Sequence, residues 1–430
     1  MAEIPESTHL DAKHPLTLPS RMRSLRMIAQ ARRLALAVLP LGAFIGLMVA
    51  WALAGLEGFE EQLSGHGLRA IILVVSPLLG MVLTGLWLKA TRIGEVSLVK
   101  DLVEAHTDPL ETFQFLPSLG KTIACGLTIG FGGSAGVEGP AKWLGAAIGA
   151  QFHWALRWLA RKWPKLRRVL VQPGVMVMAG SAAALAAVFR APLSGALLAA
   201  EHEGELNATQ VAPALVASAT GYLTFIALRG TAPLLGVVSP YTLRTREIFW
   251  ALPLGLACAL TASFFRRLLR FGRHHLRPLS LPLRGAIAGL GLVILALPGS
   301  WLWPGLPITQ GGGLDLIAHV LHGGTPAPAA LTFFTLKLVA TALTFAGGGV
   351  GGTWLPSVTI GACLGAAFDA WAGLGQPGLF AMVGASAFAG AVHRTLLTPV
   401  VFLAETTGQA ALVVPALVAT VAAFQGTRNE

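Results

Sequence analysis

Long apolar stretches separated by short polar segments follow one another along almost the whole chain. Several of these stretches are longer or shorter than the roughly 20 residues that one straight membrane span needs, and many contain glycine or proline. The pattern predicts an all-α protein that crosses the membrane many times, with some helices broken, tilted or re-entrant. The stretches lie at about 34–56, 69–88, 122–150, 169–201, 208–228, 247–265, 284–303, 330–346, 354–370, 378–404 and 411–425.

Composition narrows the class. Hydrophobic residues make up 54% of the 430 residues and charged residues only 12%, which is typical of a polytopic membrane protein. The chain contains 51 glycines and 26 prolines. Irregular backbone at membrane depth is tolerated only where protein or a water-filled cavity covers it. The composition therefore favours a transporter or channel over a plain helix bundle.

The net charge of +11 is concentrated at the ends of apolar stretches, at Arg21–Arg33, Arg157–Arg168 and Arg266–Arg277. Lysine and arginine beside membrane spans mark cytoplasmic segments and contact lipid headgroups. We expect a bacterial-type inner membrane protein with both termini in the cytoplasm. We expect no nucleic-acid partner, because no polar domain carries this charge.

Two parts of the chain repeat one order of residues. Lys121 and Lys337 each lead, after the same interval, into a glycine cluster that ends in proline: GGSAGVEGP in the first part and GGGVGGTWLP in the second. A second pair of equal intervals joins Val188–Arg190 to Glu201 and Val392–Arg394 to Glu405. Such duplication is typical of transporters whose site lies near the midplane, where the two halves meet.

The repeat suggests a division of the chain into five segments. We expect a cytoplasmic tail and basic segment (1–33), a first transmembrane half (34–228), an extracytoplasmic loop (229–248), a second transmembrane half (249–425) and a C-terminal tail (426–430).

The segment Gly132–Pro140 places one carboxylate, Glu138, among glycines at membrane depth. A lone acid in hydrocarbon costs several kcal/mol, so it is rarely without function. Glycines let backbone N–H groups approach a guest, and a helix that begins at such a loop directs positive dipole into the site. We therefore expect an anion site in which Glu138 is a built-in negative competitor.

Five segments together resemble the CLC family of chloride channels and proton/chloride exchangers, over about residues 34–425. GVEGP resembles the family's GREGP, with Val137 in place of arginine, and GTWLP stands where the family has GIFAP. FRAPLSGALLAAE is similar to the helix that lines the family's dimer interface. The segments are Gly136–Pro140, Phe189–Glu201, Gln310–Ile317, Gly352–Pro356 and Val401–Gln409.

This resemblance implies that Glu138 is a gate, whose carboxylate occupies an anion position and swings away when protonated. It also implies a homodimer with one pore in each subunit. Partial charges at helix ends hold an anion weakly enough to release it. The resemblance assigns anion binding to backbone groups around Gly136, Val137, Gly139, Thr353 and Trp354.

The chain departs from the family pattern in three places. The family's GSGIPE motif is not intact in Thr91–Lys100, where ungapped alignment puts Ser97 at the anion-coordinating serine. The column of the internal proton-transfer glutamate holds His202. From the resemblance, we also expect no counterpart of the pore-lining tyrosine in the family's final helix.

His202 allows two interpretations. Its imidazole, with an ordinary pKa of about 6.5, could relay protons in place of the missing acid, or it could be a helix-end histidine facing the cytoplasm. Glu203 lies next to it and could supply the carboxylate. The sequence therefore leaves open a proton-coupled antiporter and a voltage- or pH-gated channel. Backbone donors do not distinguish chloride from bromide, nitrate or fluoride, although the proline after GVEG favours chloride.

Other features have simpler interpretations. Glu201 and Glu405 are expected to bridge helices at a subunit contact or at helix ends. Lys121 and Lys337 are expected to snorkel or to pair with backbone carbonyls.

An alternative function is that of an intramembrane serine protease, because GGSAG matches GxSxG and His393 could partner Ser134. Three scattered cysteines and the absence of paired-ligand spacing predict no metal and no cofactor. We expect a transporter of small anions rather than an enzyme, and the sequence leaves open whether it also moves protons.

Overall fold

The computed structural model describes residues 20–64, 69–93, 113–203, 208–236, 241 and 244–427, and these residues are almost entirely helical. Short 3₁₀ turns at Pro164–Val169 and Ala410–Leu412 connect some of the helices. The α-helices are α1 (Ser20–Ser64), α2 (Arg69–Ala90), α3 (Phe115–Gly130), α4 (Glu138–Lys162), α5 (Pro173–Phe189), α6 (Pro192–Glu203), α7 (Ala208–Arg229), α8 (Thr245–Leu276), α9 (Leu281–Leu302), α10 (Leu314–Leu321), α11 (Ala327–Ala346), α12 (Trp354–Ala372), α13 (Pro377–His393), α14 (Thr398–Thr407) and α15 (Val413–Gly426).

Helix lengths agree with the irregular spans that the sequence predicts. Within the described residues, 6 helices are long and apolar enough to cross a membrane, and others are apolar but only 10–17 residues long. Helices α6 and α14 have 12 and 10 residues, too few to span a bilayer alone. The predicted all-α membrane fold with broken helices is confirmed.

Small residues let equivalent helix pairs of the two halves pack backbone to backbone. A Cβ atom at Gly145 of α4 would overlap the carbonyl oxygen of Gly180 in α5, and the reverse also holds. Gly361 of α12 and Gly384 of α13 have the same mutual relation. Close backbone approach through small residues is the usual way in which membrane helices associate.

The glycine loops that follow α3 and α11 have one backbone geometry. Gly132 and Gly348 have φ values of +87° and +84°, a region that only glycine enters without strain. The next residue of each loop, Gly133 or Gly349, donates to a carbonyl in the preceding helix, that of Thr128 at 2.8 Å or Thr344 at 2.9 Å. The predicted repeat is therefore a repeat of structure.

These two loops also exchange contacts. The N–H of Ser134 donates to Oγ1 of Thr344 at 3.0 Å, and the N–H of Val350 donates to Oγ1 of Thr128 at 3.0 Å. Each half thus supplies a threonine hydroxyl to the equivalent loop of the other half. Such reciprocal bonds indicate a local two-fold relation between the halves.

A second reciprocal contact joins α6 and α14. Glu201, in the last turn of α6, accepts hydrogen bonds from the N–H groups of Leu396, Leu397 and Thr398 at 2.9–3.1 Å, where α14 begins. The Thr398 hydroxyl also donates to it. Of the two interpretations offered for Glu201, the structure shows the bridging of helix ends.

Glu405 of α14 makes the mirror contact with the start of α6. It accepts from the N–H groups of Leu193 at 2.9 Å and Ser194 at 2.7 Å, and from the Ser194 hydroxyl. The equivalent of Leu396 in this half is Pro192, which has no N–H to donate. That substitution accounts for the one backbone bond fewer.

Candidate anion site and gate

The two glycine loops contact each other directly through their backbones. Gly136 N–H donates to the Gly352 carbonyl at 2.8 Å, and Gly352 N–H donates to the Gly136 carbonyl at 2.7 Å. This isolated antiparallel bridge is followed by a helix on each side, α4 at Glu138 and α12 at Trp354. Two helix N-termini, each with partial positive charge, therefore converge here.

The Glu138 side chain lies between these helix ends and is only 3% exposed. Its Oε1 accepts a hydrogen bond from the N–H of Leu355 in the first turn of α12, at 3.1 Å. The backbone N–H groups of Trp354 and of Glu138 itself also interact with the carboxylate. A negative group thus occupies the place that these helix dipoles favour for an anion.

Glycine is required on both sides of this carboxylate. A Cβ atom at Gly136 would overlap Glu138 Oε2, and one at Gly352 would overlap Oε1 and also approach the nitrogen of Gly139 to 2.6 Å. The paired loops therefore form a cradle that the carboxylate fills.

Only one oxygen of the Glu138 carboxylate is hydrogen-bonded in the part of the chain that the structure describes. Glu138 Oε2 is buried and accepts no hydrogen bond among the described residues. A buried carboxylate oxygen without a donor costs free energy. The geometry therefore holds Glu138 by Oε1, while Oε2 has no donor among the described residues.

A buried cation contributes at longer range. Lys337 is fully buried in α11, and its Nζ donates to the carbonyls of Gln310 and Gly311, both at 2.7 Å. This contact is one of the two that we expected for the lysine. Lys337 interacts with Glu138 electrostatically over a distance, without a direct hydrogen bond. The direct contacts of the carboxylate are with backbone N–H groups, whose partial charges suit weak and reversible anion binding.

The predicted anion-binding residues come together at this point, with a change of role for one of them. Gly136 N–H is used by the Gly352 carbonyl, so this glycine contributes space rather than a donor. Thr353 and Val137 immediately precede α12 and α4, and Gly139 lies beside Gly352. The remaining predicted residue of the first motif, Ser97, lies outside the described residues.

Leu355 was missed by sequence reasoning, although its N–H makes the bond to Glu138. Backbone donors carry no side-chain signature. A signal was nonetheless present, because the first four N–H groups of any helix have no partner within it. Extending the expected donors through the first turn of α12 would have included Leu355.

Of the proton-pathway candidates, His202 is exposed at the end of α6. Its ring stacks on that of His393, with centroids 5.7 Å apart and 27° between the planes. Glu203 is the last residue of α6, and its side chain is not among those that the structure describes.

The serine-protease alternative finds no support. Ser134 is fully buried, and its hydroxyl contacts Thr341 Oγ1 at 2.9 Å. His393 instead contacts Thr353 and Trp354. No hydrogen bond between Ser134 and His393 occurs in the part of the chain that the structure describes.

Comparison with known proteins identifies the family. Residues 79–428 match the family described as voltage gated chloride channel. The chain belongs to this family. The predicted resemblance to CLC proteins is therefore confirmed, and the glycine loops and Glu138 lie inside the matched region.

Named relatives include the H(+)/Cl(-) exchange transporters ClcA of Salmonella arizonae and Salmonella typhimurium. Each is 26% identical to this chain over an alignment that covers 93% of the chain and 87% of the relative. The sequence-based statement that the protein is not an enzyme needs correction, because these relatives are named as exchange transporters. Exchangers couple the movements of two ions, and a bare exclusion from the enzymes omits that property.

Solved structures share the fold. A slow cyanobacterial Cl-/H+ antiporter superposes with a TM-score of 0.76 at 19% identity, over 92% of this chain and 94% of that one. A CLC-type fluoride/proton antiporter gives a TM-score of 0.71 at 24% identity, over 92% and 95%. The fold is therefore that of CLC proteins.

Proposed function

We propose that this chain exchanges chloride, or a similar small anion, for protons across a bacterial inner membrane, with Glu138 as the gate. The family membership and the names of the relatives support this function. The observation that carries it is the Glu138 carboxylate, held by Leu355 N–H at the N-terminus of α12 inside a cradle of two glycines.

The mechanism follows from competition for one place. The ionised carboxylate and a free anion are both attracted by the same helix ends, and the cradle has room for one of them. Protonation at Oε2 removes the charge of Glu138 and therefore its attraction to α12. The neutral side chain leaves, an anion enters, and the later loss of the proton returns the carboxylate. One proton thus moves in step with anion passage.

The remaining parts of the proposal rest on the resemblance. Ser97 would line the inner end of the anion path, and His202 or Glu203 would take up protons from the cytoplasm. The protein would be a homodimer in contact with lipid, with cytoplasmic termini. The proline after GVEG favours chloride over fluoride.

A passive anion channel is the second candidate. It is favoured by His202, which stands where the family's exchangers have their internal glutamate. If no group there passes protons, Glu138 would act as a gate without coupling.

Uphill proton movement separates the two candidates. The protein is reconstituted into liposomes loaded with high chloride and diluted into low-chloride buffer of the same pH. Exchange predicts that chloride efflux drives protons into the vesicles, which a pH electrode records as an alkaline shift outside. Chloride efflux without this shift would identify a channel.

Glu138→Gln tests the gate. The amide keeps the shape of the side chain but takes up no proton, so we expect proton movement at background level while chloride efflux continues. Glu57→Gln is the matched control, because Glu57 is an exposed glutamate paired with Arg229. A Glu138→Gln protein with wild-type proton movement would exclude Glu138 as the gate.

A further inference from the structure

Two histidines and a lysine from three helices gather beside the start of α12. His393 ends α13, and its Nε2 lies 3.5 Å from Thr353 Oγ1, while its ring is 5.1 Å from that of Trp354. The ring of His202, in α6, also stacks on that of His393. Lys142, one turn after Glu138 in α4, is within electrostatic range of both imidazoles.

We infer that His202 and His393 form a two-imidazole proton relay that delivers protons to Glu138. The proton passes from His202 to His393 and from His393 to Glu138. The inference rests on the proposed exchange function and goes beyond it, because the resemblance assigns no role to His393. It replaces the single internal acid of the family pattern by two neutral bases in series.

Exposure decreases along this route. His202 is exposed, His393 is half-buried and Glu138 is only 3% exposed. Within the single subunit, His202 is therefore the outermost group of the relay, His393 the middle one and Glu138 the innermost. His393 contacts the side chain of Thr353, which directly precedes the turn of α12 that holds Glu138.

Imidazole chemistry suits such a relay. A neutral imidazole accepts a proton on one ring nitrogen and releases another from its second nitrogen. A water molecule can bridge polar groups that are too far apart for a direct hydrogen bond. Each step moves one proton from nitrogen to the next acceptor, and the last step forms an O–H bond on Glu138. The acceptor there is Oε2, which is buried and receives no hydrogen bond from the described residues.

The surrounding charges keep the imidazoles from holding a proton for long. Lys142 faces the pair from α4, and Arg266 of α8 donates to the Ala391 carbonyl at 2.7 Å, two residues before His393. Arg394, the next residue, is exposed. Like charge nearby disfavours an imidazolium, so a proton passes through the pair rather than staying on it.

Among the described carboxylates on the helices packed around the pair, Glu138 of α4 is the proton acceptor itself. Glu201 lies next to His202, but its oxygens are engaged by the start of α14. Helix α15 has no charged residue, and α12 has only Asp369, near its far end. Apart from Glu138 and the engaged Glu201, the described charges named here beside the pair are therefore positive.

The decisive variant is His393→Phe. Phe189 stands at the matching position of the first half, so a phenylalanine ring suits this helix end and keeps the stack with Trp354. It carries no titratable nitrogen. We expect chloride efflux to stay near the wild-type rate and proton uptake to fall about 10-fold or more, within the range for loss of a positioned proton-transfer group. His319→Gln, at an exposed histidine of α10, is the control.

A second variant, Lys142→Met, provides a test that a packing role of His393 would not affect. Removing the cation makes both imidazoles easier to protonate, so the pH dependence of proton uptake should shift to higher pH, with chloride efflux retained. A stack in which neither imidazole carries the proton predicts no such shift.

The outcomes separate the relay from the exchange function. If wild-type protein moves no protons uphill, both fail. If wild-type protein exchanges and Glu138→Gln uncouples it, but His393→Phe keeps full proton uptake, only the relay is overturned. If His393→Phe does not fold, an unshifted pH profile in Lys142→Met overturns the relay instead.

Discussion

Glutamate side chains lie at both places where the halves contact each other, but their hydrogen bonding differs. At the α6–α14 contact, Glu201 and Glu405 each receive donors on both carboxylate oxygens. At the glycine loops, Glu138 receives a hydrogen bond at Oε1 and none at Oε2 from the described residues. A carboxylate with all its donors is a fixed helix cap, whereas one held by a single oxygen can leave.

The two regions also differ in how closely the second half repeats the side chains of the first. The caps are glutamates in both halves, but the position equivalent to Glu138 holds Trp354, which is 1% exposed and packs against Phe189 and Phe402. The backbone of the two loops is repeated, and only one loop carries an acid. The proposed gate therefore lies at a position where the two halves differ.

The largest effect should come from filling the cradle, through Gly136→Ala. The new Cβ would overlap Glu138 Oε2, and an anion that takes the place of the carboxylate would meet the same atom. Overpacking costs about 1–3 kcal/mol, so we expect chloride efflux to fall about 10-fold. Gly126→Ala is the control, because a Cβ there meets nothing within 4 Å.

A double variant sharpens this prediction. If the anion passes through the place of the carboxylate, Gly136→Ala still slows chloride efflux in a Glu138→Ala background. If instead Glu138→Ala restores the flux, the clash is with the side chain alone, and the anion takes another route. Such a cycle isolates the coupling between neighbouring residues.

An intermediate effect, on stability rather than transport, is expected at the caps. Glu201→Gln and Glu405→Gln each turn an acceptor oxygen into a donor that faces backbone N–H groups. Hydrogen bonds to a charged group are worth about 1.5–3 kcal/mol, so both variants should unfold at lower temperature in detergent. Glu201→Gln should lose more, because Glu201 accepts three backbone bonds and Glu405 two.

Unchanged unfolding temperatures in both cap variants would show that these carboxylates are not structural. Glu57→Gln again serves as control, since an exposed ion pair contributes only about 0–1 kcal/mol. Chloride efflux per folded Glu405→Gln protein should stay near wild type, in contrast to the Gly136→Ala protein.

Much of the architecture could be predicted from the sequence, because membrane spans and internal repeats leave strong patterns. The equal intervals after Lys121 and Lys337, and before Glu201 and Glu405, indicated equivalent positions. They did not indicate that the equivalent positions bond to each other. Such contacts depend on how the halves are related in space, which similarity alone does not specify.

The site was predictable to the extent that side chains mark it. Glu138 stood out as an acid among glycines, whereas the Leu355 donor is backbone and leaves no mark. His393 entered our sequence reasoning only as a possible partner of Ser134. Its neighbours Lys142 and His202 come from other helices, so no spacing along the chain indicates the group.

The smallest effect should come from Ser134→Ala, at a loop position where the halves also differ. Thr341 Oγ1 donates to the Lys337 carbonyl at 2.8 Å, so the Ser134 hydroxyl is the donor in the bond between them. Removing it leaves Thr341 still bonded, and Val350, the equivalent residue, manages without a hydroxyl while its N–H makes the same cross-loop bond. We expect a loss of about 0.5–1 kcal/mol in stability and unchanged chloride efflux and proton uptake. Thermal unfolding and liposome flux check both parts. A Ser134→Ala protein that folds but moves no chloride would mean that this hydroxyl lines the anion path. The loop around Glu138 would then take part in transport and would not have a structural role alone.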